Sequence, residues 1–248
     1  MDKKPGKDFL TTPLINAEDI LVIWRDFCYN IRMSDFIVQK ARFLHSIRAG
    51  IAPARANLRE FKTEILRKSI HFLIALSPLM AAVNRPATAL ILAAGILGYT
   101  GMEMLRLAGV KVPFISSITN MASRSQDMGH FVMGPVTLGL GALLALLLYP
   151  APAAAIAIYA LAFGDGFASL VGKLFGRLRP AFLCGKSIEG SLACFIAVFI
   201  SAYRVSFDYR TALVAALTAA AVEALPLNDY DNIALPIAAG LAVCLISF

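Results

Sequence analysis

At 248 residues, 58% of them hydrophobic and with a mean hydropathy of +0.71, the chain is too apolar for an ordinary soluble domain and reads as an integral membrane protein. Its formal charge of +7 would suit a nucleic-acid partner. However, 13 of the 23 Lys and Arg precede the first long apolar run and most others flank later ones, the distribution of membrane topology and anionic headgroups. The scattered Cys28, Cys184, Cys194 and Cys244 form no CxxC pair and have no His partner at metal-ligand spacing, so they read as reduced thiols outside the chemistry.

The first stretch, MDKKPGKDFLTTPLINAED, lacks the continuous apolar core of a cleavable signal, and insertion is expected to rely on later spans. Up to about residue 60, apolar positions (Ile20 to Trp24, Phe27, Ile31, Phe36, Leu44, Ile47) alternate with Arg25, Arg32, Lys40, Arg42 and Arg48. One or two amphipathic helices on the cytoplasmic leaflet fit this pattern, and a small helical appendage packed on the bundle fits it equally. Residues 1–60 are therefore set apart from a membrane-embedded domain over 61–248.

The first span is expected over Phe61 to Val83, kinked by Pro78, with Arg67-Lys68-Ser69-Ile70-His71 where the apolar run begins. The two cations read either as topogenic anchors or, with His71, as a polar cluster facing the bundle. A turn at Asn84-Arg85-Pro86 leads into a second span from Ala87 to about Met104, where Glu103 and Arg106 stand at ion-pair spacing. A polar segment through Lys111, Arg124, Asp127 and His130 precedes a third span, Phe131 to Tyr149. Pro150-Ala151-Pro152 turns the chain into a fourth, which is expected to reach Phe163 and run into the next stretch.

The next stretch, Gly164 to Ser191, carries Asp165, glycines at 164, 166, 172, 176, 185 and 190, and the cations Lys173, Arg177, Arg179 and Lys186 close to Glu189. In a helix, Asp165, Ser169, Gly172 and Gly176 form one small polar face. Gly185-Lys186-Ser187 invites comparison with a nucleotide-binding P-loop, but Pro180 stands where that motif requires glycine and no strand-like run precedes it. Two readings remain for the stretch: a phosphate site, or a small-residue helix contact with cationic membrane anchors.

A fifth span is expected from Ile188 to Tyr203, a sixth from Thr211 to Leu225 with Glu223 near its end, and a last from Ile233 to Phe248 after the Pro226 to Asn232 turn. The fold class is thus an all-α polytopic bundle of about seven spans, several shorter than the roughly 20 residues of a full crossing. With the basic N-terminus inside, only Arg85, Arg204 and Arg210 fall on the outer side. The same orientation gathers Arg67, Lys68, Glu103, Asp127, Asp165, the segment 185–187, Glu223 and the cluster 228–232 at cytoplasmic ends of spans, where one shared site would account for them together.

Four motifs, RKSIH at 67–71, GDGFASLVGKLFGR at 164–177, GKSIEGS at 185–191 and EALPLNDYDNIALP at 223–236, resemble in order and spacing those of the CTP-dependent lipid kinases. That family includes dolichol kinase, phytol kinase and the CTP-dependent diacylglycerol kinases. The resemblance covers about Phe61 to Phe248. It implies a multi-pass membrane enzyme that transfers the γ-phosphoryl group of CTP to the hydroxyl of a membrane lipid alcohol such as diacylglycerol, phytol or a polyprenol. The matching positions are Arg67 and Lys68, then Asp165 and Gly172, then Gly185, Lys186, Ser187, Glu189 and Gly190, and finally Asp231 and Asn232. Gly166 stands where relatives often carry Ala or Thr, and Asn228 and Asp229 lengthen the last loop.

On that basis Arg67, Lys68 and Lys186 are expected to contact phosphate, with Gly164, Gly166, Gly172, Lys173, Gly185, Ser187 and Asn232 completing the nucleotide site. Asp165 and Asp231 are the expected ligands of Mg²⁺ or another divalent cation, and Glu189 or Glu223 the acceptor of the lipid hydroxyl proton. Two alternatives stand beside this reading. One is a membrane cytidylyltransferase that condenses CTP with phosphatidate, for which no clustered His/Asp C-terminal signature is present. The other is a transporter or assembly scaffold, whose charges would line a path to both faces rather than gather at one.

Overall fold

A computed structural model describes residues 53–110, 131–180, 183 and 186–247. All the described residues belong to one compact unit. The expected amphipathic helices before residue 50, the polar segment 111–130 and Gly185 lie outside the described residues.

Every regular element among the described residues is helical. Helix α1 (Pro53–Ile74) is followed by α2 (Ser77–Val83) after a break at Ala75 and Leu76, where i to i−3 bonds replace the α-helical pattern. The break is where Pro78 predicts it. Proline offers no N–H to the Ile74 carbonyl four residues back, and the Ser77 hydroxyl bonds that carbonyl instead at 2.7 Å. The extended backbone of Asn84 opens α3 (Arg85–Leu107), its side chain accepting from the Ala87 amide at 3.0 Å.

Helix α4 (Gly134–Leu148) turns through Pro150 into α5 (Ala151–Tyr159). A wider π-helical turn, Ala160–Asp165, then carries the chain directly into α6 (Gly166–Leu174). The span expected to reach Phe163 and run into the next stretch does so: Ala151–Leu174 is one 24-residue helical rod. Its glycines serve contact rather than termination. A Cβ on Gly164 would meet Val198 at 2.8 Å, and one on Gly166 would meet the Phe72 ring at 2.7 Å.

Ser187 caps α7 (Ile188–Ser206), accepting from the Gly190 amide at 3.1 Å, and the helix ends where Phe207 adopts a left-handed backbone, φ 53°. Helix α8 (Tyr209–Glu223) is capped by Asp208. A 3₁₀ turn, Asn228–Tyr230, leads into α9 (Asp231–Ser247), which contains Pro236. The Asn232 carbonyl, four residues before that proline, sits directly on Gly141 of α4, where no Cβ would fit.

Packing reverses the pattern of a water-soluble core. Alanines 142, 145, 157, 160, 202, 212, 215, 216, 219 and 239 are completely buried, whereas Val83, Leu90, Leu97 and Leu245 are more than 70% exposed. Small residues at helix contacts with large aliphatics turned outward suit a bundle whose solvent is hydrocarbon. Among the described residues, four stretches are long and apolar enough to cross a membrane: Thr63–Val83, Arg85–Leu107, Ala151–Leu174 and Ile188–Ser206. Helices α4, α8 and α9, at 15, 15 and 17 residues, fall short of that length, so four such spans stand where about seven are expected.

Candidate active site

Glu64, Arg67, Lys68 and His71 recur at i, i+3, i+4 and i+7 and share one face of α1. That face meets the Asp165, Ser169 and Lys173 side of the π turn and α6. Lys68, 1% exposed, donates to Asp165, and His71 Nδ1 lies 3.1 Å from the same carboxylate oxygen. One helical turn away, Glu64 accepts from Arg67 at 2.6 Å and from the Ser169 hydroxyl at 2.6 Å, and pairs with Lys173 at 2.5 Å.

A second group of charges comes from the chain's last third. Lys186, just before α7, donates to the Glu223 backbone carbonyl, lies 3.2 Å from the Glu223 carboxylate and 3.9 Å from Asp231. The Ser191 hydroxyl holds the other Glu223 oxygen at 3.0 Å. Both groups border a single cavity of about 190 Å³. Arg67, Lys173, Arg179 and Lys186 supply its cations, and Asp165, Glu223 and Asp231 its carboxylates.

The third wall is made of small residues. A Cβ on Gly190 would meet the Ala168 carbonyl at 2.8 Å and the Gly172 Cα at 3.3 Å, so glycine lets α6 and α7 approach there. Gly172, Ser187 and Gly190 also line the cavity. The two readings of the glycine stretch thus coincide, because the close helix contact is itself a wall of the charged site. The π turn ending at Asp165 widens the helix beside it, a distortion frequent at functional sites.

Charge pairs in a dry bundle are poor stabilisers, since desolvation consumes most of the attraction, and a charge left unpaired costs more still. Their concentration around one cavity is the mark of a functional site inside an apolar protein. No three His, Cys, Asp or Glu side chains among the described residues converge as a metal cage. Asp165 and Asp231 do line the same cavity. An oxygen pair of that kind suits a hard cation, which takes one or two carboxylates and completes its shell with water and phosphate oxygens.

Of the sequence-predicted residues, Arg67, Asp165, Gly172, Lys173, Lys186, Ser187, Glu223 and Asp231 line the cavity, and Lys68 is bonded to Asp165 behind it. Others are used elsewhere. The Glu189 carboxylate accepts from the amides of Arg177 at 3.0 Å and Leu178 at 3.1 Å, fixing the turn after α6. Asn232, 1% exposed, donates to the Thr137 hydroxyl at 3.0 Å and joins α9 to α4. Gly164 and Gly166 are spent on packing. Glu64 is absent from the sequence-predicted set, although its place three residues before Arg67 and four before Lys68 puts it on the same face.

No protein-family model matches the chain, and no solved structure matches it. Among curated proteins it is similar to a probable phytol kinase 1, chloroplastic, of Oryza sativa subsp. japonica, 27% identical over 157 residues that cover 56% of this chain and 50% of the relative. It is similar to the farnesol kinase, chloroplastic, of Arabidopsis thaliana, 28% identical over 204 residues, 73% of this chain and 65% of the relative. Similarity to CTP-dependent diacylglycerol kinase 1 of Eremothecium gossypii reaches 32% over 84 residues, 34% of this chain and 26% of the relative. The chain spans about half the length of the first of these relatives. Together the similarities support a CTP-dependent lipid kinase family for this chain.

Proposed function

We propose that this relative of the lipid-alcohol kinases transfers the γ-phosphoryl group of CTP to the hydroxyl of a membrane lipid alcohol. The supporting observation is the meeting of all four sequence motifs around one cavity that mixes four cations with three carboxylates in an apolar bundle. Phosphoryl transfer asks little covalent chemistry of a protein. It asks for alignment of donor and acceptor and for neutralisation of phosphate charge.

In this reading Arg67, Lys173 and Lys186 contact the triphosphate, assisted by Arg179, whose guanidinium is held on the Gly172 carbonyl at 2.9 Å. Lys68 pairs with Asp165 and orients it. Asp165 and Asp231 would hold Mg²⁺, which when bound neutralises phosphate charge. Glu223 is the better acceptor for the hydroxyl proton, because it lines the cavity whereas Glu189 does not and holds two backbone amides of the turn after α6. The cations at the cavity end of α6 and α7 favour a cytoplasmic opening, where soluble nucleotide and membrane alcohol can meet.

The test is reconstitution with a panel of alcohols (diacylglycerol, phytol, farnesol, a polyprenol) and γ-labelled CTP, ATP or GTP, followed by product separation. Labelled lipid phosphate with CDP is the expected outcome. Release of pyrophosphate with formation of a cytidylyl lipid would overturn the proposal in favour of nucleotidyl transfer, and absence of any transfer would overturn it outright.

A further inference from the structure

Glu64 does not line the cavity and is only 2% exposed, yet Arg67, Ser169 and Lys173, the groups it binds, all line it. One of its oxygens accepts from both Arg67 and the Ser169 hydroxyl at 2.6 Å, and the other takes the Lys173 ammonium at 2.5 Å. Arg67 lies one turn along α1, whereas Ser169 and Lys173 are successive turns of α6, so a single carboxylate ties two walls of the cavity together. Packing of α1 against α6 has other supports. Lys68 bonds Asp165, and the Phe72 ring lies on Gly166 and 5.3 Å from the Phe167 ring.

We infer that Glu64 is a positioning residue that fixes the Arg67 guanidinium and the Lys173 ammonium on the cavity wall and thereby sets the grip on the nucleotide's phosphates. The inference rests on the lipid-kinase reading and specifies how its phosphate half is assembled. Long cationic side chains carry large rotamer entropy, and a cation without an anchor must be ordered at the moment of binding. Glu64 removes that cost in advance. Its influence therefore falls on nucleotide affinity rather than on the proton transfer at the alcohol.

The experiment uses the full chain reconstituted with its lipid alcohol. Glu64→Gln keeps the shape and removes the charge. It should raise KM for the nucleotide roughly tenfold, the scale of one charged hydrogen bond. Its kcat should stay within about threefold and KM for the alcohol should not move, the pattern of lost ground-state binding. Glu64→Asp retains the charge one methylene further back and should raise nucleotide KM less than the Gln variant. Glu103→Gln is the comparison, because Glu103 is equally buried but is held by Arg106 at 2.7 Å and by the Val132 amide at 3.0 Å, away from the cavity. It should lower thermal stability with nucleotide KM unchanged.

An unmoved nucleotide KM in whichever Glu64 variant folds overturns the inference and leaves the lipid-kinase reading standing. An equal rise in Glu103→Gln does the same. A wild-type protein that transfers no phosphoryl group overturns that reading and this inference with it.

Discussion

At two turns remote from the cavity, charged side chains end on the backbone, whereas beside it Lys68 with Asp165 and Glu64 with Lys173 pair with one another across helices. Arg85 donates to the Leu146 carbonyl and, at 2.6 Å, to the Tyr149 carbonyl, closing the C-terminus of α4. Asp208 accepts from the Thr211 amide at 2.8 Å and its hydroxyl at 2.7 Å, opening α8. These contacts answer needs that every helix end has. Lys68 with Asp165 and Glu64 with Lys173 answer no such need, and apolar residues of similar volume would serve the fold as well. The contrast distinguishes charges that close helix ends from charges that join helices beside the cavity.

The sharpest way to break this division is at Asp165. Asp165→Asn should abolish transfer and also destabilise the protein by about 3–5 kcal/mol, because it leaves Lys68 buried without its counter-charge. The two losses can be separated by measuring transfer at matched folded fraction and by testing Lys68→Met with Asp165→Asn, which should restore stability and not activity. Failure of the double variant to regain stability, or transfer activity in either variant, would breach the division.

Next in size is the contrast between two glutamates. Glu223→Gln should lower kcat by about 100-fold or more, the scale of lost general-base catalysis, with little change in nucleotide KM. Glu189→Gln, which alters only the cap on Arg177 and Leu178, should lower kcat far less, and a larger loss there than at Glu223 would exchange their roles.

At the remote end the expected effects are on stability alone. Arg85→Met should cost about 1–3 kcal/mol of unfolding free energy, the scale of buried carbonyls left without a donor, with kinetic constants unchanged. Asp208 gives the smallest effect and a pH signature. The Thr211 amide and hydroxyl hold its carboxyl below the ordinary range. A carboxyl depressed in the folded state stabilises above its unfolded value, about 3.9, and loses that contribution as pH falls through the folded value. The gap in thermal midpoint between wild type and Asp208→Ala should therefore be full near neutrality and close on acidification. A gap that widened in acid would show the cap to be misassigned.

Much of this arrangement is legible in the residue order. Changes from polar to apolar place the start of α7 at Ile188 and that of α8 close to Tyr209, and the four motifs nominate most of the cavity. Two things escape for definite reasons. Glycine suits both a phosphate cradle and a close helix contact, and Gly164 and Gly166, expected in the nucleotide site, admit Val198 and the Phe72 ring instead. A carboxylate's neighbours in sequence do not reveal whether it faces a cavity, a backbone turn or another helix. That is why Glu189 stands out and Glu64 does not, although Glu64 organises one wall of the site and Glu189 a turn beside it. Asn232 illustrates the same limit, since its bond to Thr137 crosses 95 residues.

The most direct test of the central claim is transfer of γ-label from CTP to a lipid alcohol by Lys186→Ala and Arg85→Met, assayed side by side at equal folded fraction. Lys186→Ala should lose about 100-fold or more, as when one electrostatic donor is removed from an active site, while Arg85→Met keeps wild-type transfer. Wild-type transfer by Lys186→Ala, or equal loss in both variants, would contradict the claim that the charges around the cavity are the ones kept for catalysis.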